Sequence, residues 1–466
     1  MRRFFLNPGL LLGTLLILIT LGCSRERNID AVILITIDTL RVDHLGFSGY
    51  ARNTSPFLDS LAAKGANFAK TLASSSHTAP SHATIFTGLQ PLQHRVLANG
   101  QALNSGYLTL AELFKSNGYQ TGAFTSVTFL RGLRKGFDSF DVPDKEDPTY
   151  SKFRPAKLTI SRAIQWLAEK AKSEQLFLWV HLYDVHQSLP EFTEATQQEY
   201  LRRATQGIDE RRWIRLLIRG MGHNKNIARK KKLLKIIDRY DAQILNVDTE
   251  IRRLYDAVKA TKRFKNALWI ITSDHGEGLG NHNYLGHGER IYQEQLRVPL
   301  VFHFSDERYP PQKIHPLVRH VDLLPTVAEL MKWSAKDQLF PVEGVSLAPL
   351  IRGEKQSGRK DYAFAQRRPP DENWRSDWEK GEIYSLQTSR YKYIEHSEGQ
   401  DEFYDLQTDP FELNNLNAES KEKEHLKKSL AEMYRKFTLQ AGNVSDKPAV
   451  IEKEYLEELK ALGYIN

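Results

Sequence analysis

The chain has 466 residues, which is enough for one large domain with a smaller one beside it. Its composition, 41% hydrophobic and 26% charged, is that of an ordinary globular protein, and its single cysteine excludes a disulfide within the monomer. The formal charge of +8 is modest and favours anionic substrates or surfaces.

The N-terminal segment has the pattern of an export signal. Two arginines near the start precede an apolar run at residues 10–21, which is shorter than the ~20 residues of a spanning helix. Cys23 follows this run at the position where a bacterial lipoprotein signal is cut and lipidated. We therefore predict a lipoprotein-type signal peptide at residues 1–22 and a linker at residues 23–30. A plain signal peptide and an uncleaved anchor are the alternatives.

The first predicted strand ends at an acidic residue. Residues 31–37 are an apolar, β-branched run that is typical of a buried strand, and Asp38 follows it. Open α/β sheets place their ligands at the C-terminal ends of parallel strands. Residues 56–63 then predict a helix with its apolar side chains on one face.

The stretch from His77 to Gly88 contains a candidate nucleophile. Pro80 suits the first turn of a helix, and Gly88 suits its end. Thr78 is therefore expected at or just before the start of a short helix, whose N–H groups favour an anion, with His82 one turn away on the same face. A hydroxyl beside an imidazole in such a place is suited to attack a charged ester. An ordinary threonine N-cap is the alternative.

Helical and strand patterns then alternate. Residues 108–117 predict a helix and residues 121–127 a strand, and residues 176–186 are a further buried strand that runs into polar residues. This alternation predicts a parallel sheet that is covered by helices on both faces.

Residues 191–262 predict a long, charged helical region. Between positions 211 and 235 there are ten basic residues, namely Arg211, Arg212, Arg215, Arg219, Lys225, Arg229, Lys230, Lys231, Lys232 and Lys235. A solvated helical face is the simplest interpretation. The alternative is a basic lid or a membrane-surface contact, because apolar residues are interleaved with the arginines.

A further predicted strand, at residues 267–272, is followed by Asp274 and His275. With Asp38 and Thr78, these residues form a mixed oxygen and nitrogen set that suits one divalent cation. The loop that follows is rich in glycine and histidine, and such a loop can approach a ligand closely.

The C-terminal part looks like a smaller subdomain that begins near residue 356. A strand at 297–304 and the start of a helix at 320–326 are predicted before it. Within it we predict paired strands at 382–387 and 391–394 and a helix at 421–437. The sequence shows no internal repeat, no zinc-type cysteine cluster, no phosphate-binding P-loop and no nucleic-acid module.

Several of these stretches resemble the sulfatase family of the alkaline phosphatase superfamily. Residues 78–88, which read TAPSHATIFTG, resemble the signature C/S-x-P-S-R followed by T-G, and residues 181–186 resemble H-x-x-D-P-H with valine at the proline position. Further matches lie in order at residues 37–41, 54–62, 136–138, 273–277, 286–288, 297–300 and 403–410.

The resemblance covers most of the mature chain. It implies the α/β class, with an alkaline phosphatase-like α/β/α sandwich around a mostly parallel sheet in residues 31–355 and a smaller C-terminal α+β subdomain in residues 356–466. It also implies that His186 and His287 face the substrate's anionic group or leaving group.

Four features depart from the formylglycine-dependent sulfatases. Thr78 stands where they carry a cysteine or serine, and a secondary alcohol cannot become formylglycine. His82 replaces an arginine, Thr39 replaces a second aspartate, and Asp274-His275 replaces Asp-Asn. These features resemble instead the phosphonate monoester hydrolases, phosphodiesterases and phosphoethanolamine transferases of the superfamily.

We therefore predict a metal-dependent hydrolase of anionic esters with Thr78 as nucleophile and with His82, His186 and His287 as further catalytic residues. The metal ligands are Asp38, Thr78, Asp274 and His275; Ca²⁺, Mg²⁺ or Mn²⁺ suits them, and Zn²⁺ is also compatible. Phosphate diesters or phosphonates are the first substrate class. The alternatives are a sulfuric ester hydrolase that works without formylglycine, an envelope phosphotransferase and, least favoured, a non-catalytic binding protein.

The predicted partners follow from the same features. The substrate is a small anionic ester or a glycan- or lipid-linked one, and no nucleic acid is expected. Lipidated Cys23 would hold the protein at a membrane of the bacterial cell envelope, with secretion as the alternative. The sequence leaves the oligomeric state open.

Overall fold

The computed structural model describes residues 28–143, 153–170, 175–186, 192–220, 227–333, 342–356, 359–367, 381–416 and 419–441. The predicted signal peptide and Cys23 lie outside the described residues, as do residues 442–466 of the predicted subdomain. Within the described ranges, no helix combines the length and apolar character that crossing a membrane requires.

The strands of the described chain form three sheets. Their bounds are β1 Ala31–Ile37, β2 Ala66–Leu72, β3 Gln120–Thr125, β4 Ser139–Asp141, β5 Leu176–Leu182, β6 Ala267–Thr272, β7 Gly278–Leu279, β8 Leu285–Gly286, β9 Arg297–Val298, β10 Leu300–Phe304, β11 Gln312–Arg319, β12 Ala363–Gln366, β13 Ile383–Gln387, β14 Tyr391–His396 and β15 Glu402–Asp405.

The helices surround these sheets. Their bounds are α1 Pro56–Lys64, α2 Thr78–Thr87, α3 Pro91–His94, α4 Leu110–Ser116, α5 Ala156–Glu169, α6 Glu194–Thr205, α7 Glu210–Gly220, α8 Ile227–Ala260, α9 Gln293–Leu296, α10 Leu323–Leu330, α11 Ala348–Ile351 and α12 Lys421–Ala441. Short 3₁₀ turns occur at Val42–His44, Gly46–Ser48, Arg131–Leu133, Asn281–Asn283 and His320–Asp322.

The large sheet is mostly parallel, as predicted. Its strand order is β11-β2-β10-β6-β1-β5-β3-β4, with β9 paired to β2. The central strand β1 runs parallel to both β5 and β6, so the C-terminal ends of these three strands lie side by side. Strands β9 and β10 are the exceptions, because β9 runs antiparallel to β2, and β10 runs antiparallel to β6 and β2.

Both faces of this sheet are buried, which explains why its strands are apolar along their whole length. Side chains alternate along β1. Val32 and Leu34 belong to the apolar core that includes residues of α2, α4 and α10, whereas Ile33 and Ile35 belong to the opposite core, which includes residues of α5 and α8. The prediction of helical layers on both sides is confirmed.

The smaller sheet is antiparallel and consists of β12, β13, β14 and β15. The predicted pairing of strands is confirmed, since Ile383 of β13 faces His396 of β14. Helix α12 packs its apolar side chains, including Leu430 and Phe437, against this sheet. The exact boundary at residue 356 stays a prediction.

Two predicted elements are divided in the structure. The predicted strand at 297–304 is interrupted at Pro299, so that β9 pairs with β2 and β10 pairs with β6, and proline has no N–H to contribute to a ladder. The predicted helical region at 191–262 contains α6, α7 and α8, with Gly207 at a φ of 77° between the first two.

Candidate active site

Helix α2 holds the candidate nucleophile at its first turn. The helix begins at Thr78, with His77 as its N-cap, so Thr78 is a helical residue and not the cap. The helix ends at Gly88, which has a φ of 67° and donates its N–H to the carbonyl of Thr84. The free N–H of Ala79 donates to the side-chain oxygen of Asn99 over 2.8 Å, a contact that sequence analysis missed.

The predicted metal ligands come together at the ends of β1 and β6. Oγ1 of Thr78 lies 3.3 Å from Nε2 of His275. The same nitrogen lies 3.4 Å from Oδ2 of Asp274 and 4.0 Å from Oδ1 of Asp38. One ligand atom from each of Asp38, Asp274 and His275 lies within 4.8 Å of the others.

Each of these side chains leaves one atom available for a cation. Oδ1 of Asp38 and Oδ2 of Asp274 are buried and have no hydrogen-bond partner among the described residues. The other oxygen of Asp274 accepts the backbone N–H groups of Thr39, over 3.2 Å, and His275, over 2.8 Å. Nδ1 of His275 donates to the carbonyl of Gly276 over 2.9 Å, so Nε2 carries the lone pair. This donor set fits one divalent cation.

The electrostatics of the cluster also fit a cation. Burial raises the pKa of Asp38 to about 6. Burial, together with the nearby charge of Asp38, raises the pKa of Asp274 to about 7. Two adjacent carboxylates without solvent repel each other, and a cation between them removes that cost. Burial lowers the pKa of His275 to about 4, which keeps the imidazole neutral as a metal ligand must be.

Thr39 and Arg41 stabilise the site through hydrogen bonds and an ion pair and not as metal ligands. Thr39 has a φ of 58°, and its hydroxyl donates to the carbonyl of Asp38 over 2.7 Å, so its side chain is engaged with the backbone and does not join the candidate metal ligands. Arg41 is paired with Asp43 at 2.7 Å and donates to the carbonyl of Glu277 over 3.0 Å. The arginine therefore ties the end of β1 to the loop after β6.

The glycine that follows Asp274 and His275, Gly276, is required by a close approach of the backbone to another chain segment. A Cβ at this position would collide with the carbonyl oxygen of Glu294, because the backbone of Gly276 donates to the carbonyl of Gln295 over 2.8 Å. Only glycine permits this close approach of two chain segments.

His82 lies behind the nucleophile. Nδ1 of His82 is 2.8 Å from the carbonyl oxygen of Thr78, which can only accept, so the ring donates there. Nε2 is then the acceptor for the hydroxyl of Thr36 at 3.0 Å. Although His82 lies 3.7 Å from Asp274, neither nitrogen has a lone pair free for a metal. Its catalytic role stays a prediction, and these contacts favour a role in holding the backbone of Thr78.

His181 is a site residue that sequence analysis missed. It lies on β5 opposite Thr36 of β1, and its Nε2 donates to Oδ2 of Asp38 over 3.2 Å. Burial lowers its pKa to about 4, so the ring is neutral. The signal was present as a histidine inside an otherwise apolar strand, and as the first residue of the stretch that resembles H-x-x-D-P-H, but only the pairing of β1 with β5 connects it to Asp38.

His186 and His287 lie beside the candidate metal site. The ring of His287 lies 4.7 Å from that of His186 and 4.6 Å from that of His275, measured between centroids. The side chain of His287 is 12% exposed, whereas those of Asp38 and Asp274 are fully buried. The two predicted histidines are therefore brought to the open side of the candidate metal site.

These two histidines differ in charge. Burial opposes a charge on His287, but the carboxylate of Glu277, 3.2 Å from its Nδ1, raises its pKa to about 9. Burial and the positive charge of His287 hold the pKa of His186 well below its usual value. The site thus offers one cationic imidazole and one neutral imidazole, which suit an anion and a proton acceptor respectively.

The fold and this site define an ester hydrolase of the alkaline phosphatase superfamily. The family model described as Sulfatase matches residues 30–333, and one described as "N-sulphoglucosamine sulphohydrolase, C-terminal" matches residues 280–439. The chain belongs to the sulfatase family.

Individual relatives are distant. An ulvan-active sulfatase from Formosa agariphila is 24% identical over 411 residues, which are 83% of this chain and 76% of that protein. The crystal structure of a phosphonate monoester hydrolase from Agrobacterium radiobacter superposes with a TM-score of 0.67 at 21% identity, over 89% of this chain and 96% of that one. A structure in complex with its substrate D-glucosamine-2-N,6-O-disulfate gives a TM-score of 0.68 at 18% identity, over 91% and 99%.

Proposed function

We propose that this protein is a metal-dependent hydrolase of anionic esters in which Thr78 is the nucleophile, with phosphate diesters or phosphonates as its first substrate class. The observation that carries the proposal is the position of the Thr78 hydroxyl, 3.3 Å from Nε2 of His275 and beside two carboxylates. Each carboxylate presents an oxygen that has no hydrogen-bond partner within the described ranges.

Asp38, Asp274 and His275 would hold the divalent cation, together with Thr78. When bound, such an ion acts as a Lewis acid and lowers the pKa of a neighbouring hydroxyl. The ligands themselves are kept in place by backbone N–H groups, by the carbonyl of Gly276 and by His181. The chain therefore supplies a site whose geometry is set before substrate arrives.

The reaction uses Thr78 and the two outer histidines. Oγ1 of Thr78 attacks phosphorus and gives its proton to neutral His186, the bond from phosphorus to the leaving oxygen breaks, and protonated His287 gives its proton to that oxygen. Water then attacks the phosphothreonine and gives a proton to His287, which is now neutral. The bond from phosphorus to Oγ1 breaks, and His186 returns its proton to Oγ1. The threonine hydroxyl and both histidines are restored, and no aldehyde is needed at any step.

The discriminating experiment compares matched aryl phosphate diester, aryl phosphonate and aryl sulfate substrates on the purified protein. We expect the highest kcat/KM on a phosphorus ester and a loss of that activity in Thr78→Ala. If Thr78-dependent turnover is highest on the sulfate, the choice of phosphorus is wrong, whereas turnover that survives Thr78→Ala contradicts the nucleophile itself.

Sulfate-ester hydrolysis is the second candidate, because the Sulfatase family model covers most of the catalytic part of the chain. Related proteins are described as an ulvan-active sulfatase and a Delta 4,5-hexuronate-2-O-sulfatase. A sulfated glycan is the substrate that this candidate supports. It requires a threonine-based route, because Thr78 cannot be converted to formylglycine.

We further propose that the enzyme works in the bacterial cell envelope, anchored through a lipid on Cys23. The support is the sequence pattern alone, in which an apolar run follows two arginines and ends at the only cysteine of the chain.

A further inference from the structure

Glu277 and His287 flank the base of a short hairpin. Strands β7 and β8 pair Gly278 with Gly286, which brings the two flanking residues side by side. Nδ1 of His287 lies 3.2 Å from Oε2 of Glu277. Each strand has only two residues, and a hairpin this short is at best marginally stable by itself. Other contacts must therefore hold His287 in place.

The turn of this hairpin contains a histidine in an uncommon backbone conformation. His282 and Asn283 have φ values of 50° and 57°, which residues other than glycine rarely adopt. Such a conformation persists where the surrounding contacts fix it. The ring of His282 stacks on that of Tyr292, with the centroids 3.7 Å apart. Arg41 supports the same turn, because it donates to Oδ1 of Asn281 over 2.9 Å.

Both ring nitrogens of His282 face hydrogen-bond acceptors. Nε2 lies 2.9 Å from the carbonyl oxygen of Glu412, which can only accept, so Nε2 donates there. Nδ1 lies 2.9 Å from Oε1 of Glu294, and a carboxylate oxygen also accepts. An imidazole that donates through both nitrogens is a cation. Burial opposes this charge, but the carboxylate of Glu294 raises the pKa of His282.

A positive charge on His282 balances a buried group of charges. Nζ of Lys392 lies 2.6 Å from Oε1 of Glu412, and both of these side chains are fully buried. Glu294 is buried as well. With a protonated His282, the group has two cations and two carboxylates. A neutral ring would leave the group with one excess negative charge, which is costly away from water.

Glu412 connects the smaller sheet to both ends of the hairpin. It follows β15, and it has a φ of 54°. Its carbonyl accepts from His282 at the turn, and its Oε2 accepts the N–H of Gln293 over 2.6 Å. The next residue, Glu294, accepts the N–H of Glu277 at the base of the hairpin over 3.0 Å. The turn and the base are therefore both fixed through Glu412.

We propose that protonated His282 and Glu412 are positioning residues for the ester hydrolysis, and that they act by fixing the hairpin that ends at His287. The inference rests on the proposed function for the role of His287, which protonates the leaving oxygen. A proton moves efficiently only over a hydrogen-bond distance, so a small displacement of His287 slows that step. Neither positioning residue exchanges a proton with the substrate.

The charge of His282 is tested on the wild-type protein. Heteronuclear NMR of protein labelled at the histidine nitrogens distinguishes an imidazolium from a neutral ring, and His282→Gln identifies the signal by its loss. We expect both nitrogens of His282 to carry a proton at neutral pH. A neutral ring would place the shared proton on Glu294 and would overturn the proposal.

The positioning role is tested with three variants. His282→Ala removes the ring, and His282→Arg restores a charged donor. The control is Leu430→Ala, because Leu430 is buried in the apolar core between α12 and the smaller sheet, a core that contains none of the described residues of the hairpin. Its truncation destabilises this part of the protein by leaving a cavity. All assays use metal in excess, so that a change in metal affinity does not enter kcat.

We expect His282→Ala to lower kcat about 10- to 100-fold and to keep KM within about twofold of wild type, because the displaced group acts in the transition state. The amides of Glu277 and Gly280, which donate to Glu294 and Tyr284, should exchange hydrogen at least about tenfold faster. His282→Arg should recover part of both losses. Leu430→Ala should lower the unfolding temperature but keep kcat and these exchange rates within about twofold of wild type.

Wild-type kcat and exchange in His282→Ala would overturn the proposal, and so would equal losses of kcat in His282→Ala and Leu430→Ala. Failure of the proposed function gives a different result. Thr78→Ala would then keep its ester hydrolysis, whereas the faster exchange of Glu277 and Gly280 in His282→Ala would remain.

Discussion

Nε2 of His181 lies 3.2 Å from Oδ2 of Asp38, and this contact leaves Oδ1 of Asp38 as the oxygen that faces His275. The histidine thus selects which oxygen of the carboxylate is available for a cation. A buried carboxylate with no such partner can rotate, and a ligand that rotates binds more weakly than one that is held.

The first prediction concerns this positioning role. His181→Ala should weaken divalent-metal affinity about 10- to 100-fold, the range found when the outer partners of metal ligands are removed. His181→Gln, which keeps a donor near the same place, should recover part of the loss. Calorimetric titration of the metal-free protein with Mn²⁺ measures this directly, and wild-type affinity in His181→Ala would contradict the role.

The second prediction concerns the metal ligands. Asp274→Ala removes the oxygen that has no hydrogen-bond partner among the described residues and also the acceptor for the N–H groups of Thr39 and His275. We expect the variant to lose bound metal, measured by elemental analysis, and to lose activity with it. Exhaustive chelation of the wild type should reproduce the loss, and added metal should reverse it. Full activity after chelation would refute the site assignment.

The third prediction concerns the nucleophile. Thr78→Ala should lower kcat by about 10³-fold or more, because the attacking oxygen is removed, and this loss should persist when metal is supplied in excess, because three of the four proposed ligands remain. Thr78→Ser should keep part of the activity. Thr87→Ala is a matched control in the same helix, since it removes a hydroxyl that donates to the carbonyl of Ala83, and its activity should stay near that of wild type.

The fourth prediction separates His287 from His82. His287→Ala should lower kcat about 10²- to 10⁴-fold, the range for an acid–base group, and should leave metal content and the unfolding temperature close to wild type. His82→Ala should instead lower the free energy of unfolding by about 1–3 kcal/mol, because it removes the side chain that accepts from the hydroxyl of Thr36 and donates to the carbonyl of Thr78. Thermal unfolding and single-turnover kinetics on both variants test the distinction. The opposite pattern would exchange the two roles.

The fifth prediction concerns location. If Cys23 carries the lipid, the wild-type protein should fractionate with membranes and incorporate a palmitate analogue, whereas Cys23→Ala should do neither. Cys23→Ser is a second variant of nearly the same size that also lacks the thiol. Absence of label on the wild type would refute the anchor.

Much of the candidate site followed from local rules that act within a few residues. The apolar runs before Asp38 and Asp274 predicted buried strands, and both strands form. Pro80 and Gly88 predicted a helix that begins near Thr78, and α2 begins there. These predictions succeed because a proline in a first turn, a glycine at a helix end and the length of an apolar run are constraints of the local backbone.

The tertiary structure alone determined the contacts between residues that are far apart in the chain. His181 meets Asp38 across 143 positions, and Oδ1 of Asp274 meets the N–H of Thr39 across 235. The strand register sets both contacts, and they determine which oxygen of each carboxylate is free. Likewise, Trp213 faces inward because Arg52 and the core meet it there. The direction of a side chain and its hydrogen-bond partner depend on how the whole chain packs. The candidate ligands could therefore be predicted from the sequence, whereas the fold determined which atom of each ligand is available for a cation.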